Sequence, residues 1–334
     1  MDRDDLKVVG DSLERILQDA PLRAIDEANG LGAQADALWQ TLEQNGFAQL
    51  GVREVHGGVG ASLADCVAIA SVCGRYALPA PLADTIIAKT LLSVCDIPPP
   101  EGRIGLAQTS ERGLYLAHAS QVETAILFQD GMLHLVHLKA GIEPLYKAED
   151  GAACLDKALT ASVHAASAPD WLTESSYSAI GALVRAGLMA GAMQSALEMT
   201  LEHTGQREQF GRPIAKFQAV QHLLSDIACE TAAAIASVGL AQAALGERDA
   251  LSQQALNDIA IAKIRCGIAA GAVSAAAHQA HGAMGFTWEY DLGRFTRRLW
   301  QWQDEFGSHK IWASQLGQSL GLSPNMSLWE QISA

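Results

Sequence analysis

The sequence has little that would carry it to a nucleic acid, a membrane or a disulfide scaffold. Charged residues make up only 18% of the 334 residues and aromatic residues only 6%. Positive charge is the scarcer sign: 23 Lys and Arg stand against 37 Asp and Glu, a formal net charge of −14. Such a field disfavours nucleic acid and anionic membrane as partners held by bulk charge. Local basic spots such as Arg294, Arg297 and Arg298 remain as anion sites. No C-x-x-C pair occurs among Cys66, Cys73, Cys95, Cys154, Cys229 and Cys266. They read as buried, reduced thiols of a cytoplasmic protein, and no metal site is expected. The opening MDRDDLKVVGDSLERI is charged from its second residue and lacks an apolar core, so no signal peptide is expected. No uncharged apolar run of about 18 residues is present, and no transmembrane helix is expected.

What is present is apolar content of 49% in a chain long enough for one to three domains. Apolar residues recur at i, i+3, i+4 in DSLERILQDA, ADALWQTLEQNGF and SLADCVAIASVCGRYAL, which predicts helices, the last capped by Ser62. The loop VREVHGGVGAS is glycine-rich, but no strand precedes it in a βαβ pattern. It reads as a helix–helix connection rather than a phosphate cradle. IPPPEG at 97–102 breaks the helical pattern. Beyond it RIGLAQ, GLYLAH, ETAILFQ, MLHLVHL and ALTASVHAA read as five or six short strands. From Thr173 onward, alanine- and glycine-rich helices are predicted over about 178–204, 215–245, 251–283 and 308–320. Small residues let long helices approach closely, as in an antiparallel bundle. The expected fold is α+β and mainly α. A helical domain spans 1–100, a small β domain 101–170 and a helical bundle 171–334.

Two segments carry chemistry. In QREQFGRPIAKFQAVQHLLSDIA, Arg207, Gln209 and Arg212 flank an aromatic-glycine turn between two helices. An arginine beside the free N–H groups of a helix N-terminus suits an anion, although a capped turn has the same composition. In HQAHGAMGFTWEYDLGRFTRRLW, Gln279 lies at the end of a long helix, just ahead of a Gly-Ala-Met-Gly turn. Gly282 and Gly285 allow a flat ligand or another chain to approach the backbone. His278 and His281 have no thiol or carboxylate at ligand spacing, so no metal is expected there.

Together these segments resemble the C-terminal domain of the acyl-CoA dehydrogenase family. R-x-Q-F-G-x-x-I-x-x-F-Q-x-x-Q matches at Arg207, Gln209, Phe210, Gly211, Ile214, Phe217, Gln218 and Gln221. Q-x-x-G-G-x-G-F matches at Gln279, Gly282, Gly285 and Phe286, with Ala283 in place of the second glycine. GFAQLGVREVHGGVGAS is also similar to a segment of the family's N-terminal domain. The resemblance implies an N-terminal helical domain, a middle β domain and a C-terminal four-helix bundle. It implies an FAD-dependent enzyme acting on an acyl-CoA thioester, with an electron-transfer flavoprotein as acceptor. Carried over, Arg207, Gln209, Phe210, Gly211, Gln218, Gln279, Gly282 and Ala283 are the cofactor candidates, acting across a subunit interface.

The family reaction needs a carboxylate base at the carbon α to the thioester. The resemblance puts that base in one of two places, and this chain has Gly181 at one and Phe306 at the other. Glu305 lies one residue away, which turns a side chain by about 100° in a helix. Glu305 and Asp304 therefore read as solvated or structural charge, with Glu305 or Asp304 as base the alternative. The family's T-E-P-x-x-G-S-D-type flavin segment is also missing from IGLAQTSERGLY. The chain thus resembles the short, base-lacking subunit of heterotetrameric (α2β2) steroid-degrading acyl-CoA dehydrogenases, whose catalytic Glu sits on the partner chain. Two other readings stay open. One is a self-sufficient homo-oligomer using Glu305. The other is a flavin-free scaffold or thioester-binding protein.

Overall fold

The computed structural model describes residues 1–110, 113–138, 146–147, 153–155, 160–245 and 251–321. The side chain of Cys154 and the chain beyond 321 lie outside the described residues. Five helices open the chain: α1 (Arg3–Asp19), α2 (Leu22–Glu27), α3 (Ala33–Gln44), α4 (Leu63–Arg75) and α5 (Leu82–Val94). Ser62 starts α4 through a reciprocal capping box. Its hydroxyl accepts from the Asp65 N–H at 3.2 Å, and the Asp65 carboxylate accepts from the Ser62 N–H at 3.0 Å. The amphipathic pattern finds α1, α3 and α4 but not α5. Residues Leu82 to Ser93 of α5 are all buried, so it has no polar face to give it a period.

A seven-stranded sheet follows, in the order β5-β6-β2-β1-β3-β4-β7. Its strands are β1 (Ile104–Ser110), β2 (Gly113–Leu116), β3 (Thr124–Gln129), β4 (Met132–Leu138), β5 (Tyr146–Lys147), β6 (Ala153–Leu155) and β7 (Thr160–Ser167). The expectation of five or six strands falls short because β5 and β6 are too brief to show alternation. Strands β3 and β4 meet at an Asp130-Gly131 turn with both φ positive, 53° and 74°, the geometry an Asp-Gly hairpin favours. Period-2 alternation separates the faces. Ile104, Leu106, Ile126 and Phe128 join the helical core, while Ala107, Leu116, Ala125 and Leu127 form a second cluster behind. Thr85 of α5 bonds both the N–H and the carbonyl of Ile104, each at 3.1 Å, tying helix to sheet.

Five helices follow among the described residues: α6 (Glu174–Gln206), α7 (Gln218–Ala244), α8 (Gln253–His281), α9 (Leu292–Trp302) and α10 (His309–Gly321), with a short hairpin between α6 and α7. Short α9 is additional to the four long helices expected. Its Arg294 and Arg298 reach Asp26 of α2, which staples the two ends of the fold together. A Cβ on Gly191 of α6 would overlap the Ser71 carbonyl of α4, so these helices touch backbone to backbone. The absence of a long uncharged run is not the whole account of hydropathy. Helices α6, α7 and the α8 region are each long and apolar enough to cross a membrane. The apolar window of α6 is 83% buried inside the fold, that of the α8 region 56% and that of α7 28%. Helix α6 is thus a central core helix, whereas much of α7 has no cover from the other described residues.

Candidate functional site

The segment after α9 is held on all sides. Phe306 adopts a left-handed φ of 53°, and Gly307 follows at 89°. The Phe306 N–H donates to Oε1 of Gln108 on β1 at 2.5 Å. Its carbonyl accepts from Nε1 of Trp312 on α10 at 2.8 Å. The ring is 2% exposed, lies 6.4 Å from Tyr177 in an edge contact and stands 5.2 Å from the Arg185 guanidinium. It also fills the space beside Gly181, where an added Cβ would overlap ring carbons. The structure therefore brings the two positions that the resemblance picked for a base, Gly181 and Phe306, into direct contact. Neither bears a carboxylate.

Glu305 is neither solvated nor free. It is 4% exposed. Its carboxylate pairs with Arg185 Nε through one oxygen. The other accepts from the Tyr115 hydroxyl and from Gln301 Nε2, both at 2.8 Å. The far side of Arg185 forks onto Asp84 of α5, with Nη2–Oδ2 at 3.0 Å. Burial pushes the Glu305 carboxyl up, but the Arg185 charge and hydrogen bonds from Gln301, Arg185 and Tyr115 outweigh it and hold the carboxyl below its ordinary value. For Arg185, burial disfavours the charge, and the two carboxylates restore it and raise its value. A base that must take a proton from carbon works better with a raised value and an open lone pair. Glu305 has neither, so the structural half of the charge reading holds here and the solvated half does not. Asp304 is exposed.

Lys263 of α8 completes the frame. Its Nζ donates to the carbonyls of Trp302 at 2.6 Å and Gln303 at 3.2 Å, capping α9. Burial lowers it to about 7 despite the nearby Glu305 charge. Sequence reasoning passed over Asp84, Arg185 and Lys263. The signal was present as a lone charge in an otherwise apolar helix, as in ALVRAGLMAGAM. Such charges are buried only when paired or hydrogen-bonded.

The eight cofactor candidates lie elsewhere, and all are exposed. Arg207 closes α6. Strands β8 (Glu208–Gln209) and β9 (Arg212–Pro213) then form a hairpin whose two-residue turn is Phe210-Gly211. Both turn residues have positive φ, 52° and 77°, which suits Asn-Gly better than Phe-Gly. Phe210 is 93% exposed at that tip and meets Phe217 edge-on at 6.1 Å. Arg212 stacks over Phe217 at 4.3 Å, just before Gln218 opens α7. Arg207 and Met284 line one cleft of about 460 Å³ with Glu202, His203 and Tyr290. Gln279 faces a separate groove between α7 and α8, with Leu223 and Asp226. Gly282 turns at a φ of 61° with open space around it, whereas Gly285 is buried and packs on His281. Gly285 thus serves internal packing rather than ligand approach. His278 and His281 bond Thr296 and Tyr290, each at 3.0 Å. Among the described residues, no group of three His, Cys, Asp or Glu could hold a metal ion.

A family model described as acyl-CoA dehydrogenase, C-terminal domain, matches residues 179–318. The acyl-CoA dehydrogenase IpdE2 of Mycobacterium tuberculosis is 27% identical over 79% of this chain and 80% of its own length. Its namesake from Mycolicibacterium smegmatis is 28% identical over 78% and 80%. Among solved structures, the ChsE4-ChsE5 complex from Mycobacterium tuberculosis contains a chain that superposes with a TM-score of 0.76. That match has 18% identity and covers 97% of this chain and 99% of the other. A Tcur3481-Tcur3483 steroid ACAD variant contains a chain that superposes with a TM-score of 0.77, at 19% identity, over 95% and 98%.

Proposed function

We propose that this chain, whose residues 179–318 match the acyl-CoA dehydrogenase C-terminal-domain model, is the base-lacking subunit of an FAD-dependent acyl-CoA dehydrogenase whose catalytic carboxylate sits on a second family chain. The observation that carries this reading is the direct contact of Gly181 with Phe306, which leaves no acid at either base position. Glu305, the nearest carboxylate in sequence, is committed to Arg185.

The exposed residues fit a dinucleotide. Arg207 supplies a cation, the N-terminus of α7 supplies N–H groups beside Phe217, and Gly282 leaves its backbone uncovered. A bound flavin would supply the hydride acceptor for the carbon β to the thioester. This chain's part is to neutralise the pyrophosphate through Arg207 and to stack or cover the cofactor through Phe210. The α-proton goes to a carboxylate of the partner chain. Much of apolar α7 has no cover from the other described residues, which supports a partner packed on the bundle. Two structural relatives, one a two-protein complex and one a steroid enzyme, support a heteromer acting on a bulky, steroid-derived acyl group. An electron-transfer flavoprotein is the proposed acceptor, and the cytoplasm the proposed location.

The test is a tagged purification from the native host, read by intact mass and flavin absorbance. A second family chain with about one FAD per pair is expected, and Arg207→Ala should lower flavin affinity at least about tenfold, the loss of one charge-assisted contact. A single yellow species made only of this chain contradicts the reading.

A further inference from the structure

We propose that His203 is a proton-linked second cation of the cleft beside Arg207: it takes up a proton when a pyrophosphate diester binds there, while His281 stays neutral against it. This rests on the proposed function only in taking a flavin dinucleotide as the occupant. His203 lies in the last turn of α6 and Arg207 is that helix's C-cap. Both line the cleft of about 460 Å³, and the Arg207 N–H donates to the His203 carbonyl at 2.9 Å. The spacing of the two side chains is therefore set by the helix end. A cation in the last turn of a 33-residue helix is also favoured by the helix dipole.

The His203 ring stacks on His281 of α8, with centroids 4.4 Å apart and planes at 21°. The two imidazoles differ in what they have left to bind. In His281, Nδ1 lies 2.8 Å from the Ala277 carbonyl, which only accepts, so Nδ1 carries a proton. Nε2 then accepts from the Tyr290 hydroxyl at 3.0 Å. The neutral ring is fully used inside the fold and is 5% exposed. In His203 neither ring nitrogen has a hydrogen-bond partner among the described residues. His281 is a positioning residue here. It ties the end of α8, and with it Gly282, to the end of α6, and it offers a neutral face to a charged ring.

The groups around His203 are Glu202 and Arg207 from its own helix end, His281 of α8 with His278 behind it, and Tyr290 with Asp291 ahead of α9. Asp291 is committed to Arg23 at 2.8 Å, and Glu202 accepts from Gln206 at 3.1 Å. Burial first and the Arg207 charge second hold His203 below its ordinary value. A pyrophosphate diester offsets the Arg207 charge and raises His203 again. Between the free and the bound values the complex holds more protons than the free protein, so affinity rises as pH falls through that window.

The test is titration calorimetry of the flavin-depleted assembly with FAD, in two buffers of different ionisation enthalpy, from about pH 8 to about pH 6. The wild type should take up a fraction of a proton per FAD and bind about threefold more tightly at the acid end. His203→Gln should still bind FAD but lose the uptake and most of the pH dependence. Histidine NMR of the unsubstituted protein locates the proton: His203 should titrate at higher pH with the dinucleotide bound, and His281 should keep its Nδ1–H form. Binding without proton uptake, uptake unchanged in His203→Gln, or a proton taken by His281 overturns the proposal. If this chain binds FAD with no partner, the subunit reading falls and the same measurements on the single chain decide. If no form binds FAD, the flavin reading falls, and ADP-ribose, which carries the same pyrophosphate diester, replaces it. A His203 titration moved up by ADP-ribose then supports the proton-linked site, and an unmoved one overturns it.

Discussion

Arg185 decides what Glu305 is. Without it two buried carboxylates would face each other across α5, α6 and the end of α9. Removing one partner of a buried pair typically costs about 3–5 kcal/mol, so Arg185→Met should lower stability by that order in urea unfolding. The folded value of Glu305 lies below its unfolded one. Its stabilisation is therefore complete above the unfolded value and is lost as pH falls through the folded one. Lys263 runs the other way. It gives up its proton near 7 in the folded chain, while the unfolded chain keeps it to about 10.4. Between those values the unfolded state binds more protons, so stability rises with pH. Lys263→Met should remove that rise, and the stability gap between wild type and variant should shift in favour of wild type from about pH 6 to about pH 9. A constant gap would show that Lys263 stays charged in the core. Gly181 and Phe306 should couple. Gly181→Ala alone overpacks the site at about 1–3 kcal/mol and Phe306→Ala alone leaves a void at about 3–5 kcal/mol. The double variant should cost clearly less than the two added together, as measured by a thermodynamic cycle. Additive costs would mean the two residues do not touch.

At the scale of elements, the Phe210-Gly211 hairpin breaks its own local rule. A non-glycine residue with positive φ and an almost fully exposed aromatic ring is a poor choice for a free turn. Phe210→Asn should leave the melting temperature of the isolated chain unchanged or slightly higher, yet weaken flavin retention by the assembly. A loss of stability with flavin retention intact would make the ring a structural residue. The same elements show what can be read from sequence. Helices α1, α3 and α4 carry an amphipathic period and an N-cap signal at Ser62, and the long helices of the bundle show the same period. Helix α5 lacks one because all its sides are buried, and β5 and β6 are too short to alternate. The two-residue hairpin was legible only as a turn, since its strands span two residues each.

Across the whole molecule, the order of helices, sheet and helices was legible because each region has its own residue spacing. The meeting point of the three regions was not. Asp84, Arg185 and Glu305 lie 101 and 120 residues apart along the chain, and no local pattern joins them. The exposed cofactor candidates were found through a motif, whereas the buried network that gives residues 305 and 306 their character was found only in three dimensions. The proposed function is that of a chain that offers a flavin its surface while a second chain supplies the catalytic carboxylate. Its most direct test is anaerobic flavin bleaching by short-chain, long-chain and steroid-derived CoA thioesters. FAD mixed with this chain alone should not bleach, and adding the co-purifying partner should produce bleaching; bleaching with this chain alone would contradict the account.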